Sequence, residues 1–101
     1  MTLTLESGRV IENATEDDIL TWVEGEDFAI LGDDPDTYIQ CAQQREPPYD
    51  HDLEYQEGSL DRHYQAVDAP ITFDRVIGAF IRYIRRDGSW RSYFRWERLE
   101  L

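Results

Sequence analysis

Hydrophobic and polar side chains follow two different periods along this chain. Thr2 to Leu5 alternates polar and apolar residues, which is typical of a strand with one buried face. Leu53 to Gln56 alternates in the same way. Between residues 72 and 86, apolar residues instead recur every three or four positions, which indicates an amphipathic helix. The pattern therefore predicts a mixture of strands and helices.

Two helices are expected. Thr15 is the predicted N-cap of the first, because the acids Glu16, Asp17 and Asp18 follow it at the positive end of the helix dipole. Thr72 is the predicted N-cap of the second. The second helix carries one apolar stripe of six residues: Phe73, Val76, Ile77, Phe80, Ile81 and Ile84. Their burial would contribute on the order of 10 kcal/mol, so this helix is expected to lie across a sheet.

Short apolar runs between turn residues predict the strands. The first strand spans residues 2–5, and Val10 and Ile11 extend it. The further runs are Phe28 to Leu31, Thr37 to Ala42, Leu53 to Gln56, Leu60 to Val67 and a last strand around Phe94 to Leu99. The predicted order is β-α-β-β-β-β-α-β. We therefore expect one α+β domain over residues 1–101, with an antiparallel sheet of about five to six strands and two helices packed on one face.

Charge divides the chain into two unlike parts. Lys is absent, and all ten basic residues are Arg. Residues 1–61 hold seventeen acids and two Arg, a net charge of −15, whereas residues 62–101 hold five acids and eight Arg, a net charge of +3. The net charge of −12 argues against nucleic acid as a partner, because phosphates need cationic side chains. It favours a basic partner, or it serves solubility alone.

Membrane and secreted classes are not expected. No apolar run reaches the roughly 18 residues of a transmembrane helix, and the first residues lack the pattern of a signal peptide. The single Cys41 cannot form an internal disulfide, which agrees with a reducing compartment. We therefore expect a cytoplasmic protein.

No motif for catalysis, a metal or a cofactor is predicted. His51 lies among acids, but alternation in a strand places it on the face opposite Asp50 and Asp52. Cys41 lies in an apolar run, where a free Cys is usually a small buried residue. The acids after Gly32 lack the spacing of a calcium loop and read as a turn. The chain is accordingly predicted not to be an enzyme.

One resemblance to a known family concerns the C-terminal third. The pattern Val76-x-x-x-Phe80-x-x-Tyr83-x-x-x-Asp87-x-x-Trp90, ending in Trp96-Glu97, resembles the closing region of small bacterial immunity proteins of polymorphic toxin systems. The resemblance implies a non-enzymatic inhibitor that binds a toxin, often a nuclease or deaminase. It transfers no catalytic residue.

Three functions remain open at this point. The first is an immunity or inhibitor protein that binds a basic toxin through its acidic surface. Its predicted partner-binding residues are Asp33, Asp34, Asp36, Tyr38, Tyr49, Asp52, Glu54 and Tyr55. The second is a self-associating structural or regulatory domain that forms a homodimer through an exposed strand edge. The third is a small enzyme with His63, Glu54 and Tyr64 around a pocket.

Overall fold

A computed structural model describes residues 1–44, 46, 50–68 and 70–100, and these form one antiparallel sheet with a layer of helices. The strands are β1 (Thr2–Leu5), β2 (Val10–Ile11), β3 (Phe28–Asp34), β4 (Thr37–Gln43), β5 (His51–Glu57), β6 (His63–Ala66) and β7 (Trp96–Arg98). Their order across the sheet is β2-β1-β3-β4-β5-β6-β7, and every neighbouring pair is antiparallel. From β3 to β6 the strands form a meander.

The helices are short and begin at the expected caps. Helix α1 spans Glu16–Trp22, and Thr15 caps it in a capping box, in which Asp18 N donates to the Thr15 hydroxyl and Thr15 N donates to the Asp18 carboxylate. Helix α2 spans Phe73–Ile84, and the Thr72 hydroxyl accepts from Arg75 N. Two 3₁₀ segments, Leu60–Arg62 and Gly88–Tyr93, precede β6 and β7.

Both helices pack on the same face of the sheet. Ile19 of α1 and Phe80 of α2 are fully buried in one core with Leu3, Leu31 and Ile39 of the sheet. The apolar stripe predicted for α2 faces this core, and Ala79 joins it. Within the described residues, no helix covers the opposite face of the sheet. Helices on one side and an uncovered sheet on the other define the two surfaces of the molecule.

The predicted α+β class and antiparallel sheet are confirmed, with seven strands in place of five or six. The additional strand is β2, which turns back at Gly8 and pairs with β1 instead of extending it. The strand predicted from Leu60 to Val67 is also shorter, because its first residues form a 3₁₀ turn after Ser59. Residues Trp90 to Tyr93 belong to the second 3₁₀ segment.

The described helices are all too short to cross a bilayer. The longest, α2, has twelve residues, whereas a membrane-spanning helix needs about 20.

Helix α2 ends in a Schellman motif with an unusual residue at its turning point. Asp87 N donates to Arg82 O at 2.9 Å, and Arg86 N donates to Tyr83 O at 3.0 Å. Arg86 between them has φ 57°, a left-handed conformation that glycine adopts without steric cost. The Arg86 side chain instead forms a two-pronged ion pair with Asp33, at 3.0 and 2.7 Å.

Replacing Arg86 should separate the backbone cost from the value of its ion pair. Arg86→Ala and Arg86→Gly both remove the contact with Asp33, but only Gly relieves the left-handed strain. We expect urea unfolding to show Arg86→Gly as more stable than Arg86→Ala by about 1 kcal/mol. Equal stabilities for the two variants would contradict this account of the helix end.

Candidate functional site

The uncovered side of the sheet, here called the open face, is built from three rows of side chains across the strands. Because alternate residues of a strand point to opposite sides, the register identifies each row. The central row is Val10, Thr4, Ile30, Gln40, Glu54, Gln65 and Glu97; the flanking rows are Thr2, Gly32, Tyr38, Gln56 and His63, and Phe28, Ala42 and Asp52. The face therefore changes from apolar at β2 and β3 to polar at β5 to β7.

All charged side chains at these row positions are negative. The charged residues are Asp52, Glu54 and Glu97, and no row position is an arginine. Asp52 accepts from Gln44 Nε2 at 3.4 Å, and Glu54 is bonded to His63. Every charged position in the rows of the open face is therefore acidic, and no guanidinium in these rows neutralises the carboxylates.

The arginines of the second half instead pair with acids on the helix side of the molecule and at the sheet end. The ion pairs are Arg85–Glu16, Arg86–Asp33, Arg75–Asp68, Arg62–Glu57 and Arg91–Glu57, together with Arg98–Glu100 near the end of the chain. The hydrogen bond from Arg85 lowers the pKa of the exposed Glu16 carboxyl. Three of these acids, Glu16, Asp33 and Glu57, belong to the first half, so the positive half neutralises part of the acidic half outside the rows of the open face.

Three acids of the β3–β4 turn lie at one end of the open face, and each has a different role. Asp33 is held by Arg86, whose hydrogen bonds lower the pKa of its carboxyl. The Asp34 carboxylate accepts from Asp36 N at 2.8 Å, which closes the turn. The carbonyl of Asp36 accepts from Gly58 N and from Gln56 Nε2. Among the described residues, only Asp33 of this trio contacts an arginine.

A groove of about 550 Å³ runs along the open face between this turn and β1. Its lining is Thr2, Thr4, Ile30, Gly32, Asp33, Asp34, Pro35, Tyr38 and Gln40. A Cβ at Gly32 would lie 2.4 Å from Thr37 O and 2.6 Å from Tyr38 Cβ, so a side chain cannot fit there. Gly32 therefore lets β4 approach β3 closely at the edge of the groove.

Tyr38 connects the groove to a polar network. Its hydroxyl donates to Gln56 Oε1 at 3.3 Å. Its ring lies edge-on to the His63 ring, with 6.1 Å between the ring centroids. Burial raises the pKa of the Tyr38 phenol, and the carboxylates of Glu54 and Asp36 raise it further. The phenol therefore keeps its proton at neutral pH and remains a hydrogen-bond donor.

His63 is the buried centre of this network, with 2% of its surface exposed. Gln56 Nε2 donates to Asp36 O at 3.1 Å, which orients Gln56 Oε1 toward the imidazole. His63 Nδ1 lies 3.0 Å from that oxygen and donates to it, while Nε2 lies 2.6 Å from Glu54 Oε1. Both ring nitrogens of His63 therefore lie within hydrogen-bonding distance of an acceptor oxygen.

The structure brings together some predicted partner residues and separates others. Asp33, Asp34, Asp36 and Tyr38 surround one end of the open face, and Asp52 and Glu54 lie in its rows. Tyr49 lies outside the described residues.

The prediction that Tyr55 is an exposed contact residue is wrong. It is only 7% exposed, on the core side of β5. Its ring stacks on Tyr64 at 4.9 Å and packs edge-on against Trp90 and Trp96 at 4.8 and 4.7 Å.

The three residues of the enzyme alternative do not all lie together. Glu54 does contact His63, but Tyr64 points to the core side of β6, where it stacks on Tyr55. His63 Nδ1 and Nε2 both have partners and its ring is buried. The described part of the chain also contains no group of three His, Cys, Asp or Glu placed to hold a metal ion.

A second groove of about 480 Å³ lies at the same sheet end on the helix side. Arg62, Arg86 and Arg91 line it together with Tyr83 and Trp90. Each of these arginines contacts Asp33 or Glu57. The groove is therefore internally neutralised to a large extent, unlike the open face.

Cys41 is buried in the core, and burial raises the pKa of its thiol to about 12 from an ordinary value near 9. Alkylation by iodoacetamide at pH 8.5 should therefore be about a thousandfold slower in the folded chain than in urea, because only the thiolate reacts. Comparable rates in both states would contradict the buried placement.

The same thiol predicts a loss of stability in alkali. The folded state holds this proton more tightly than the unfolded state, so the contribution is complete below pH 9 and is lost as the pH rises toward 12. The free energy of unfolding, measured with urea, should fall less steeply between pH 8 and 11 for Cys41→Ala than for the parent chain.

Two residues that shape the open face, Gly32 and Gln56, are not among the site residues predicted from the sequence, and His63 is predicted only as part of a small enzyme site. Gly32 interrupts an apolar strand, and an isolated glycine in a strand marks a close backbone approach. Gln56 and His63 fall on the polar side of their strands, but their pairing depends on the β5–β6 register, which only the structure shows.

Comparison with known proteins adds no relative. No protein-family model matches the chain, and neither the curated proteins nor the solved structures provide a match. Function must therefore be inferred from the geometry and charge of the described residues.

Proposed function

We propose that this chain is a non-enzymatic protein-binding domain that recognises a basic protein through its open face. The observation that carries the proposal is the charge of that face: its rows hold three carboxylates and no arginine. The neighbouring turn adds Asp34 and Asp36. Such a surface attracts a positively charged partner and accelerates its association at low ionic strength.

The size of the face supports a protein partner. The molecule measures 32 × 29 × 24 Å, so one broad side offers on the order of 800 Å², the area that each partner contributes to a standard protein interface. The face also combines a polar half with partly exposed aromatic and aliphatic residues, Tyr38, Phe28 and Ile30. Interfaces commonly combine such apolar contacts with a polar rim.

The biological role that we propose is that of an immunity or inhibitor protein. Toxins that act on nucleic acids need basic clefts to hold phosphates, and an acidic sheet face can occupy such a cleft as a charge mimic. The resemblance of the α2-to-β7 region to immunity proteins supports the same role. The α2 stripe and Trp90 serve the core, which leaves the open face available for the partner.

Self-association through the same face is disfavoured by charge. Two open faces in a two-fold dimer would bring six row carboxylates into one interface without an arginine from the rows. The two sheet edges are short, since β2 has two residues and β7 has three. A basic partner is therefore the better occupant.

The proposal is tested with two variants of equal net charge. The open-face variant combines Asp34→Asn, Asp52→Asn and Glu97→Gln; the control variant combines Glu12→Gln, Asp17→Asn and Glu24→Gln, three exposed acids around α1. Each removes three negative charges. The parent chain captures its partner from a lysate of the source organism, and the purified partner is then titrated calorimetrically against all three proteins at low and physiological salt.

We expect the captured partner to be basic, and its affinity to fall at least tenfold for the open-face variant and less than threefold for the control. Equal losses for the two variants would assign the effect to net charge and overturn the role of the open face. Unchanged affinity for the open-face variant would place the interface elsewhere. Recovery of the chain itself, with dimer formation in sedimentation, would establish self-association instead.

A further inference from the structure

The groove beside Tyr38 lies over one row of the open face. In the row Thr2–Gly32–Tyr38, the central residue projects no side chain between its neighbours, and all three residues line the groove. At Gly32 itself β4 approaches so closely that a Cβ would lie 2.4 Å from Thr37 O, so the open space of the groove lies beside the glycine, along the Tyr38 ring. We call this part of the groove the slot, and a flat group can lie in it against the Tyr38 ring.

The slot is lined by aromatic, apolar, neutral polar and acidic groups. Tyr38 supplies an aromatic wall and Ile30 supplies apolar surface. Thr2, Thr4 and Gln40 offer hydroxyl and amide oxygens along the sides. Asp34 stands at the end of the groove, and among the described residues it contacts no arginine. Aromatic surface, neutral acceptors and a carboxylate together favour a flat cation over a neutral or anionic group.

We infer that this groove binds the guanidinium of an arginine side chain that the partner inserts, an assignment that rests on the proposed function and names its recognition element. The methylenes of the inserted arginine lie along Ile30, its guanidinium plane stacks on Tyr38, and its N–H groups donate to Asp34. Arginine fits better than lysine because its planar head group both stacks and forms paired hydrogen bonds with a carboxylate.

The polar network behind the ring prepares the groove for this ligand. The hydrogen bond from the Tyr38 hydroxyl to Gln56, and the contact of its ring with buried His63, hold the aromatic wall in place before binding. The cluster of Glu54, Asp36 and Gln56 oxygens near the phenol adds negative potential at this end of the face. A rigid wall lowers the ordering cost of binding.

The test uses N-acetyl-L-arginine amide as the probe, followed through the amide spectrum of ¹⁵N-labelled protein at constant ionic strength. A saturable shift with a dissociation constant of roughly 1–10 mM is expected for a ligand of this size, at the amides of Gly32, Asp34, Tyr38 and Gln40. N-acetyl-L-citrulline amide, which has nearly the same shape without the charge, should bind at least tenfold more weakly.

Two variants and a control locate the site. Asp34→Asn and Tyr38→Leu should each weaken the probe at least threefold, whereas Asp17→Asn on α1 should leave its affinity within a factor of 1.5. Citrulline binding as tight as arginine, no saturable shift up to about 100 mM, or shifts spread over acids throughout the surface would each overturn the assignment.

The test of the arginine site and the test of the proposed function can fail independently of each other. Loss of the basic partner in the open-face variant, together with no response of the groove to the probe, would retain the open face and reject the arginine site. A response of the groove without any basic partner for the open face would retain the site and reject the proposed function. Support for both requires the probe and the partner to compete.

Discussion

Phe80→Ala should lower the free energy of unfolding by about 3–5 kcal/mol, a large part of the 5–15 kcal/mol that stabilises a typical domain. Phe80 lies in the middle of α2 and is fully buried between the helix and the sheet. Its removal exposes the surrounding core to a cavity that Val76 and Ala79, on the same stripe, cannot fill. Chemical unfolding followed by far-ultraviolet circular dichroism measures the loss.

Leu20→Ala on α1 is the matched control, because Leu20 is an apolar helix residue that is 57% exposed. It should change the stability by less than about 0.5 kcal/mol. If Phe80→Ala does not fold, Phe80→Leu retains most of the volume and should lose about 1–1.5 kcal/mol. A loss below 1 kcal/mol for Phe80→Ala would show that α2 does not seal the core.

The position of α2 was predictable because a helix buries one stripe, and the spacing of its apolar residues shows that stripe directly. Thr72 and Thr15 also marked the helix starts, since a capping hydroxyl acts on backbone groups only two or three residues away. Signals of this kind are local in the chain. They need no knowledge of the fold, and the strand alternation at β1 and β5 belongs to the same class.

The burial of Tyr55 follows from the same local alternation, so the prediction that it contacts a partner conflicts with the pattern of its own strand. It alternates with Glu54 and Gln56 and shares its side of β5 with Leu53, which is fully buried. Alternation alone places it in the core. An aromatic side chain gains more from packing against Trp90 and Trp96 than it loses by the burial of its hydroxyl.

The net charge of each half could be predicted from the sequence, but the positions of the charges in the fold could not. Counting residues shows a negative first half and a positive second half. Which acids the arginines neutralise depends on contacts across the fold, such as Arg85 with Glu16, 69 residues away, and Arg86 with Asp33, 53 residues away. Only these pairings show that the neutralised acids lie outside the rows of the open face, which keep their three carboxylates.

The second large effect is expected at His63, where His63→Ala should lower the free energy of unfolding by about 2–4 kcal/mol. The ring is 2% exposed and satisfies Gln56 Oε1 and Glu54 Oε1, so its removal leaves a cavity and a carboxylate without its partner. Gln65→Ala, on the same strand and face, is the control and should cost less than about 1 kcal/mol.

A double-mutant cycle isolates the contact between the ring and Glu54. Glu54→Ala alone should cost about 1–2 kcal/mol, less than His63→Ala because the carboxylate is a quarter exposed and water reaches its site. The double variant should cost about 1 kcal/mol less than the sum, since the partner left behind in each single variant is then absent. Additive costs would mean that the 2.6 Å contact contributes nothing to stability.

The same cycle connects the network to recognition. His63 contacts the Tyr38 ring, and Gln56 links their polar atoms, so removal of His63 releases the wall of the groove. His63→Ala should therefore also weaken the arginine probe at least threefold at a temperature where the variant is fully folded, whereas Gln65→Ala should not. A variant that loses stability but binds the probe with full affinity would confine His63 to a structural role and leave Tyr38 and Asp34 as the recognition element.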